Sequence, residues 1–168
     1  RSNNCMNADP VAIVDRYIAD ADYLALKKLW QATNGEVWIK TWKINSSAIT
    51  ATGWPGVTFD TDGHVTSISL SNNNLQGELP VEGFQMDHLT SLNLSRNSLR
   101  GNVSAFCRQL PKLEKLDLSY NQISEITDLL PATITSVDLS YQNEGKSLQT
   151  IPLQAWTVGD QGAGVTLN

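Results

Sequence analysis

Apolar residues and asparagines recur through the middle of the chain with the spacing L-x-x-L-x-L-x-x-N-x-L, where x is any residue. Three complete copies and the start of a fourth begin at Val65, Leu89, Leu113 and Ile134, which lie 24, 24 and 21 residues apart. The alternation of apolar and polar residues in the L-x-L part predicts one short strand per copy. Because one copy cannot bury its apolar face alone, we expect the copies to stack as a repeat array.

Each complete copy also places one asparagine where the chain is expected to turn away from its strand. These residues are Asn73, Asn97 and Asn121. A side-chain amide can satisfy backbone groups that such a turn leaves unpaired. We therefore predict that the three asparagines form a buried structural ladder and do not bind a ligand.

The first 64 residues contain no copy of the repeat and predict two helices followed by a hairpin. Pro10 is expected to open a short helix that runs to Ile18. Asp20 or Asp22 is expected to cap a second helix, which ends at Asn34-Gly35.

The hairpin is predicted at Asp62-Gly63, between the β-favouring segments 57–59 and 65–67. The stretch "DTDGH" also resembles the opening of an EF-hand calcium loop, but the other ligands and the terminal Glu of that loop are absent. We predict a turn and no metal site.

Four of the five tryptophans fall in this amino-terminal part, at Trp30, Trp38, Trp42 and Trp54. A cluster of this kind can form a platform for carbohydrate or an apolar cap over the first repeat. A terminal repeat needs a cap to cover its open core, so we predict the cap. The expected organisation is a leader and cap at 1–64 and repeats at 65–168, within one structural domain.

The fourth copy is irregular, and aligns with the third only if four residues are inserted within 142–146. With that insertion the spacing predicts a fifth strand at Val165 and Leu167. The printed sequence then stops inside this strand, at Asn168. An uncovered strand edge promotes association, so we expect either further repeats after Asn168 or edge-to-edge contact between molecules.

Composition excludes several classes of function. The chain has 12 basic and 17 acidic residues, a net charge of −5 and no basic run, which argues against nucleic acid as a partner. No apolar stretch approaches 18 residues, so the sequence predicts no membrane span. The two cysteines, Cys5 and Cys107, are too few for a disulfide framework, and Cys107 is interpreted as a small buried apolar residue.

The stretches "DYLALKKLWQATNG" and "GWPGVTFDTDGHVTSISLSNNNLQGELP" resemble the cap and first repeat of plant-type extracellular leucine-rich repeat proteins. Similar caps occur in secreted or surface-anchored bacterial proteins. The plant caps usually carry a cysteine pair that these stretches lack, which favours a bacterial surface protein. The resemblance implies an α/β solenoid: a short right-handed array with parallel strands on its concave face, a helical, Trp-rich cap, and a secreted or cell-surface location.

Catalysis has little support in the sequence. His64 and His88 are not part of a nucleophile or zinc motif, and we expect both to be exposed. Asp117 and Asp138 occupy equivalent repeat positions, but an open sheet does not provide the desolvation that tunes an acid–base pair. We predict a protein that is not an enzyme and needs no cofactor.

Residues between the leucines of each strand are expected to face the concave surface. Its large polar and aromatic side chains concentrate toward the carboxy-terminal half. Tyr and Arg dominate binding hot spots, which favours a ligand-binding surface, although exposed polar residues also occur on unused surfaces. The predicted binding residues are Asn93, Arg96, Lys115, Asp117, Tyr120, Asp138 and Tyr141.

Two classes of function follow from this sequence. The first is a non-enzymatic recognition module that binds a protein or glycan on the concave face. The second is a structural or assembly spacer within a larger surface protein. The resemblance to plant-type arrays adds a third hypothesis, an inhibitor of a secreted polysaccharide-degrading enzyme.

Overall fold

The computed structural model describes residues 16–142 and 164–166. These residues form a six-stranded sheet, a two-stranded sheet and three helical segments. The strands are β1 Val57–Phe59, β2 Val65–Ser69, β3 Gln76–Glu78, β4 Ser91–Asn93, β5 Ser98–Arg100, β6 Lys115–Asp117, β7 Ser136–Asp138 and β8 Gly164–Thr166. The helices are α1 Asp20–Ala32, a 3₁₀ helix Gly35–Val37 and α2 Val103–Cys107.

Each repeat contributes one strand to the larger sheet, whose order is β1-β2-β4-β6-β7-β8. β1 and β2 are antiparallel and the later neighbours are parallel. The apolar residues Ile68, Leu92, Leu116 and Val137 lie opposite one another and are buried. This stacking confirms the predicted α/β solenoid, because each strand covers the apolar face of its neighbour.

The return arms of the repeats build the other side of the core. β3 and β5 pair there as a parallel two-stranded sheet. Phe84 and Phe106 are fully buried and stack with ring centroids 5.3 Å apart. Cys107 is a free thiol in α2, and its complete burial raises its pKa to about 12, which fits a small apolar residue of the core. Cys5 lies outside the described residues.

The tryptophan cluster closes the amino-terminal end of the array. Trp38, Trp42 and Trp54 are buried and Trp30 is half-buried. Trp42 meets Trp38 edge to face at 4.8 Å and lies 5.6 Å from Trp54. Each buried indole N–H donates to a backbone carbonyl, as buried tryptophans normally do. The cap prediction is confirmed.

The sequence predicted a short helix from Pro10 to Ile18. This prediction is wrong for Arg16 to Ile18, and residues 10–15 lie outside the described part of the chain. Arg16 to Ile18 are extended along segment 47–49: the Ile18 N–H donates to the Ser47 carbonyl at 2.9 Å, and the Ile49 N–H to the Arg16 carbonyl at 2.9 Å. This pairing buries Ile18 against the cap. Burial by tertiary contact therefore overrides the local helix signal.

The predicted cap of α1 also needs correction. Ala19 precedes the helix, and Asp20 and Asp22 both lie in its first turn without capping it. Asp22 instead turns into the protein, where its Oδ2 accepts the buried N–H of Val65 at 2.7 Å. The carboxylate thus joins the cap helix to the first strand of the array.

The hairpin between β1 and β2 has the predicted turn. Oδ1 of Asp60 accepts the N–H groups of Asp62 at 2.8 Å and His64 at 3.0 Å. Partial desolvation raises the pKa of Asp60, but these hydrogen bonds and the nearby histidines outweigh it and hold the pKa below its usual value. Gly63 is required because its φ is +83° and a Cβ atom would lie 2.2 Å from the Tyr17 carbonyl oxygen.

A fifth parallel strand lies where the repeat spacing and the four-residue insertion place it. Val165 of β8 is the register partner of Val137 in β7. The inserted residues after Gln142 and the expected strand residue Leu167 lie outside the described residues.

Candidate functional site

Three residues beyond each of the strands β2, β4, β6 and β7, one residue has a left-handed backbone. The φ angles are 53° at Asn72, 56° at Arg96, 56° at Tyr120 and 58° at Tyr141. The first three N–H groups donate to the Ser95, Ser119 and Ser140 carbonyls of the next repeat, so the array imposes the conformation. For a residue with a side chain it costs about 1–2 kcal/mol, and Gly or Asn fits best. Arg96, Tyr120 and Tyr141 therefore occupy left-handed positions at which Gly or Asn would be favoured.

These large side chains form one stack along the row of strand ends, which we call the Arg–Tyr stack: Arg96, Tyr120 and Tyr141. The guanidinium carbon of Arg96 lies 4.1 Å from the centroid of the Tyr120 ring. Tyr120 and Tyr141 are parallel within 18°, with centroids 4.5 Å apart. The tyrosines remain 39% and 50% exposed. The stack therefore presents a pre-ordered cationic and aromatic surface to solvent.

The predicted binding residues Asn93, Asp117 and Asp138 are bound within their own strand ends. Oδ1 of each accepts both the backbone N–H and the hydroxyl of the serine two residues later, at 2.6–3.0 Å. The three side chains are half-buried. One oxygen of each is thus committed to the turn, which argues for a structural contribution alongside any contact with a ligand.

Lys115 is exposed on β6, between Ser91 and Ser136 in register. Its position on the strand separates it from the row of strand ends to which Arg96, Tyr120 and Tyr141 belong. The structure therefore brings together three of the seven predicted binding residues as one contact group.

The asparagines predicted as a ladder bind the backbone of neighbouring repeats. Oδ1 of Asn121 accepts the Leu99 N–H at 2.9 Å, while its Nδ2 donates to three carbonyls. Asn97 accepts the N–H groups of Asn73 and Leu75 in the same way, and Asn73 bonds to the backbone of Lys40 in the cap. Asn73 and Asn121 are buried, whereas Asn97 is half-buried.

Gln142 takes the corresponding place in the fourth repeat, which the sequence analysis missed. Its Oε1 accepts the Ile123 N–H at 2.8 Å, and its Nε2 donates to the Leu118 and Leu139 carbonyls. Gln142 follows Leu139 by three residues, as Asn121 follows Leu118. That spacing could have identified Gln142 as the fourth member of the ladder, because glutamine carries the same side-chain amide as asparagine.

Comparison with known proteins agrees with this geometry. Residues 63–123 and 112–137 match two family profiles, both described as leucine-rich repeat. The repeats of this chain are leucine-rich repeats. Over 58 residues it is 45% identical to a probable leucine-rich repeat receptor-like protein kinase of Arabidopsis thaliana. The match covers 34% of this chain and 5% of that relative.

Two solved structures share the fold of this leucine-rich repeat protein. The BIR3–SERK2 complex from Arabidopsis thaliana matches with a TM-score of 0.57 at 24% identity, over 88% of this chain and 93% of that one. The PEPR1–AtPEP1 structure matches with a TM-score of 0.52 at 23% identity, over 89% of this chain and 24% of that one. Within the described residues, no helix has the length and apolar character needed to cross a membrane.

The two histidines of the leucine-rich repeat protein were expected to be exposed, and this expectation is wrong. His64 and His88 occupy equivalent positions of adjacent repeats, are half-buried and stack with centroids 3.8 Å apart. Nδ1 of His64 lies 3.5 Å from Oδ1 of Asp22 in the cap. The 24-residue repeat spacing brings the rings together, and the inward turn of Asp22 adds the carboxylate.

Proposed function

We propose that this leucine-rich repeat protein is a recognition module that acts in the secreted or cell-surface space, has no catalytic activity, and binds a protein partner on its concave face. The observation that carries the proposal is the Arg–Tyr stack. Three large side chains occupy left-handed positions at a conformational cost, remain exposed and add little to the core. Strain retained at exposed residues is typical of functional surfaces.

The composition of the stack supports binding. Tyr and Arg bury large areas in interfaces and dominate their energetics. Each side chain of the stack restricts its neighbour, so less conformational entropy is lost when a partner binds. A receptor-like relative supports recognition as the class of function, although this chain spans only 5% of that relative.

The carboxylates support a non-catalytic role for the same face. Asp117 and Asp138 are register partners on adjacent strands, and one oxygen of each is held by the serine that follows. These bonds give both carboxylates the same turn-forming role. An acid–base pair instead needs two different environments.

The test is a binding screen of the whole chain against extracellular ectodomains and secreted polysaccharide hydrolases, followed by affinity measurements with variants. We expect Tyr120→Ala with Tyr141→Ala to weaken binding of an identified partner about thirtyfold, or about 2 kcal/mol. We expect the stability of each single variant to change by less than about 1 kcal/mol, since the tyrosines contribute little to the core.

Matched controls are available elsewhere on the molecule. Tyr17 is 59% exposed on the cap and Arg100 is exposed on β5, so Tyr17→Ala and Arg100→Ala remove the same side-chain types from other surfaces. Both should leave affinity unchanged. Equal affinity of the double variant and the native chain would contradict the proposed surface. Absence of any bound ectodomain or hydrolase would contradict recognition and favour a spacer role.

A further inference from the structure

A groove lies beside the Arg–Tyr stack, on the side of Arg96 that faces the preceding repeat and the cap. It consists of two adjoining cavities of about 280 and 350 Å³ that share Ile39 and Asn72. We call it the Ile39 groove. Its lining residues are Ile39, Lys40, Pro55, Gly56, Ser69 to Asn74, and Arg96 to Ser98.

The charges of the Ile39 groove are all of one sign. Arg96 and Lys40 line it, and no Asp or Glu does. The chain as a whole carries a net charge of −5, so this surface departs from the average of the molecule. Among the described residues, no carboxylate lies within 4.0 Å of either cation. Within that part of the chain, both cations are therefore available to an anionic ligand.

The guanidinium of Arg96 is already ordered for such a contact. One face rests on the Tyr120 ring at 4.1 Å, and stacking of this kind does not occupy the N–H edges of the planar group. A guanidinium offers its N–H donors in a rigid fork that matches the paired oxygens of a carboxylate, phosphate or sulfate. Because the ring restrains the side chain, binding an oxyanion costs less rotamer entropy than it would for a free arginine.

The groove also contains an apolar contact and a polar one. Ile39 is 68% exposed between the two cavities. Asn72 is exposed beside it, and its side chain makes no hydrogen bond with the described part of the chain. A ligand with an apolar group next to an anionic group could pack the first against Ile39 and pair the second with the cations.

We infer that the Ile39 groove is a subsite for an oxyanion, a carboxylate or a phosphate or sulfate ester, carried next to a branched apolar group of the ligand. Arg96 binds the oxygens, Lys40 adds a second positive charge, and Ile39 packs against the apolar group. The assignment of the subsite to a protein partner rests on the proposed function. The binding of an oxyanion next to an apolar group rests only on the residues of the groove.

Small probes test the subsite without a partner protein. The ¹⁵N-labelled chain is titrated with 4-methylpentanoate, isobutyl phosphate and isobutyl sulfate, and with neutral 4-methylpentanamide as the matched control. At least one anion should produce saturable shifts at the amides of Ile39, Asn72 and Arg96, and the amide probe should not. The three anions distinguish a carboxylate source from the two esters.

Variants then assign the contact to Arg96. Arg96→Gln should raise the dissociation constant of the best probe at least about fivefold, because a charge-assisted bidentate contact is lost. Arg96→Lys should give an intermediate value, and Arg100→Gln on β5 should remain within about twofold of the native chain. The amide spectrum of each variant shows whether it is folded.

Equal shifts with the anions and the neutral amide, shifts centred elsewhere, or an unchanged constant in Arg96→Gln would each overturn the subsite. Failure of these titrations leaves the tyrosine-dependent binding of a partner intact. Conversely, loss of partner binding in the tyrosine variants does not predict the outcome of the titrations. The two proposals therefore fail separately.

Discussion

At the scale of single residues, the amides of the repeat turns show why a polar side chain can be required inside a solenoid. Asn121 is 1% exposed and makes four hydrogen bonds to the backbone of its own and the preceding repeat. An alanine there would leave buried N–H and C=O groups without partners, and each such group costs about 1–3 kcal/mol.

We expect Asn121→Ala to lower the free energy of unfolding by about 3 kcal/mol or more. The measurement is urea unfolding followed by circular dichroism. Gln122→Ala is the matched control, because the neighbouring Gln122 is half-buried and its side-chain amide makes no hydrogen bond with the described residues. A loss below about 1 kcal/mol in Asn121→Ala would show that water or backbone movement replaces the amide.

At the scale of elements, the contact between α1 and β2 links the cap to the array. Oδ2 of Asp22 accepts the Val65 N–H at 2.7 Å, and Asp22 is only 3% exposed. Asp20 lies in the same first turn but is exposed. Both carboxylates interact favourably with the helix dipole, so comparing the two isolates the bond to Val65.

We expect Asp22→Ala to destabilise the protein by about 1–3 kcal/mol, because the buried Val65 N–H loses its acceptor. Asp20→Ala should cost less than about 0.5 kcal/mol. Asp22→Asn should recover most of the loss, since its amide oxygen can still accept the bond. Thermal unfolding measures stability, and hydrogen exchange at Val65 reports the bond itself. Equal losses in Asp20→Ala and Asp22→Ala would refute a specific link.

At the scale of the whole molecule, the six-stranded sheet has two different ends. β1 forms the cap end as part of an antiparallel hairpin. β8 is the last strand at the other end among the described residues, where it pairs with β7. A strand paired on one side presents unpaired backbone groups on the other, and such an edge can pair with a second molecule.

We predict that the β8 edge is covered either by further repeats after Asn168 or by edge-to-edge contact between molecules, and self-association of the 168-residue chain tests the second alternative. Val165→Lys should reduce this association, because Val165 is the register partner of the buried Val137 and a charge at that position destabilises the β8 strand through which the molecules would pair. Thr58→Lys places the same charge on an exposed position of β1 at the opposite end, and should not reduce it. Sedimentation velocity over a range of concentrations measures the effect. A native chain that remains monomeric at every concentration would contradict the second alternative.

The sequence by itself determined the repeat architecture. The L-x-L spacing placed the strands of the array, and the register pairs Ile68, Leu92 and Leu116 as that spacing requires. It also favoured a tryptophan cap over a carbohydrate platform, because a terminal repeat needs its open core covered and large aromatic residues mostly serve burial. These features depend on period and composition, which can be read along one chain.

Only the tertiary structure decided which side chains meet across elements. The burial of Asp22, the extended conformation of Arg16 to Ile18 and the His64–His88 pair depend on how the cap and hairpin lie on the first repeats. The Arg–Tyr stack depends on the left-handed conformation at the strand ends, which the residue types there do not favour. A repeat period states which residues are equivalent. It does not state which non-equivalent elements touch, or which backbone conformations neighbouring repeats impose. These can be known only from the packed array.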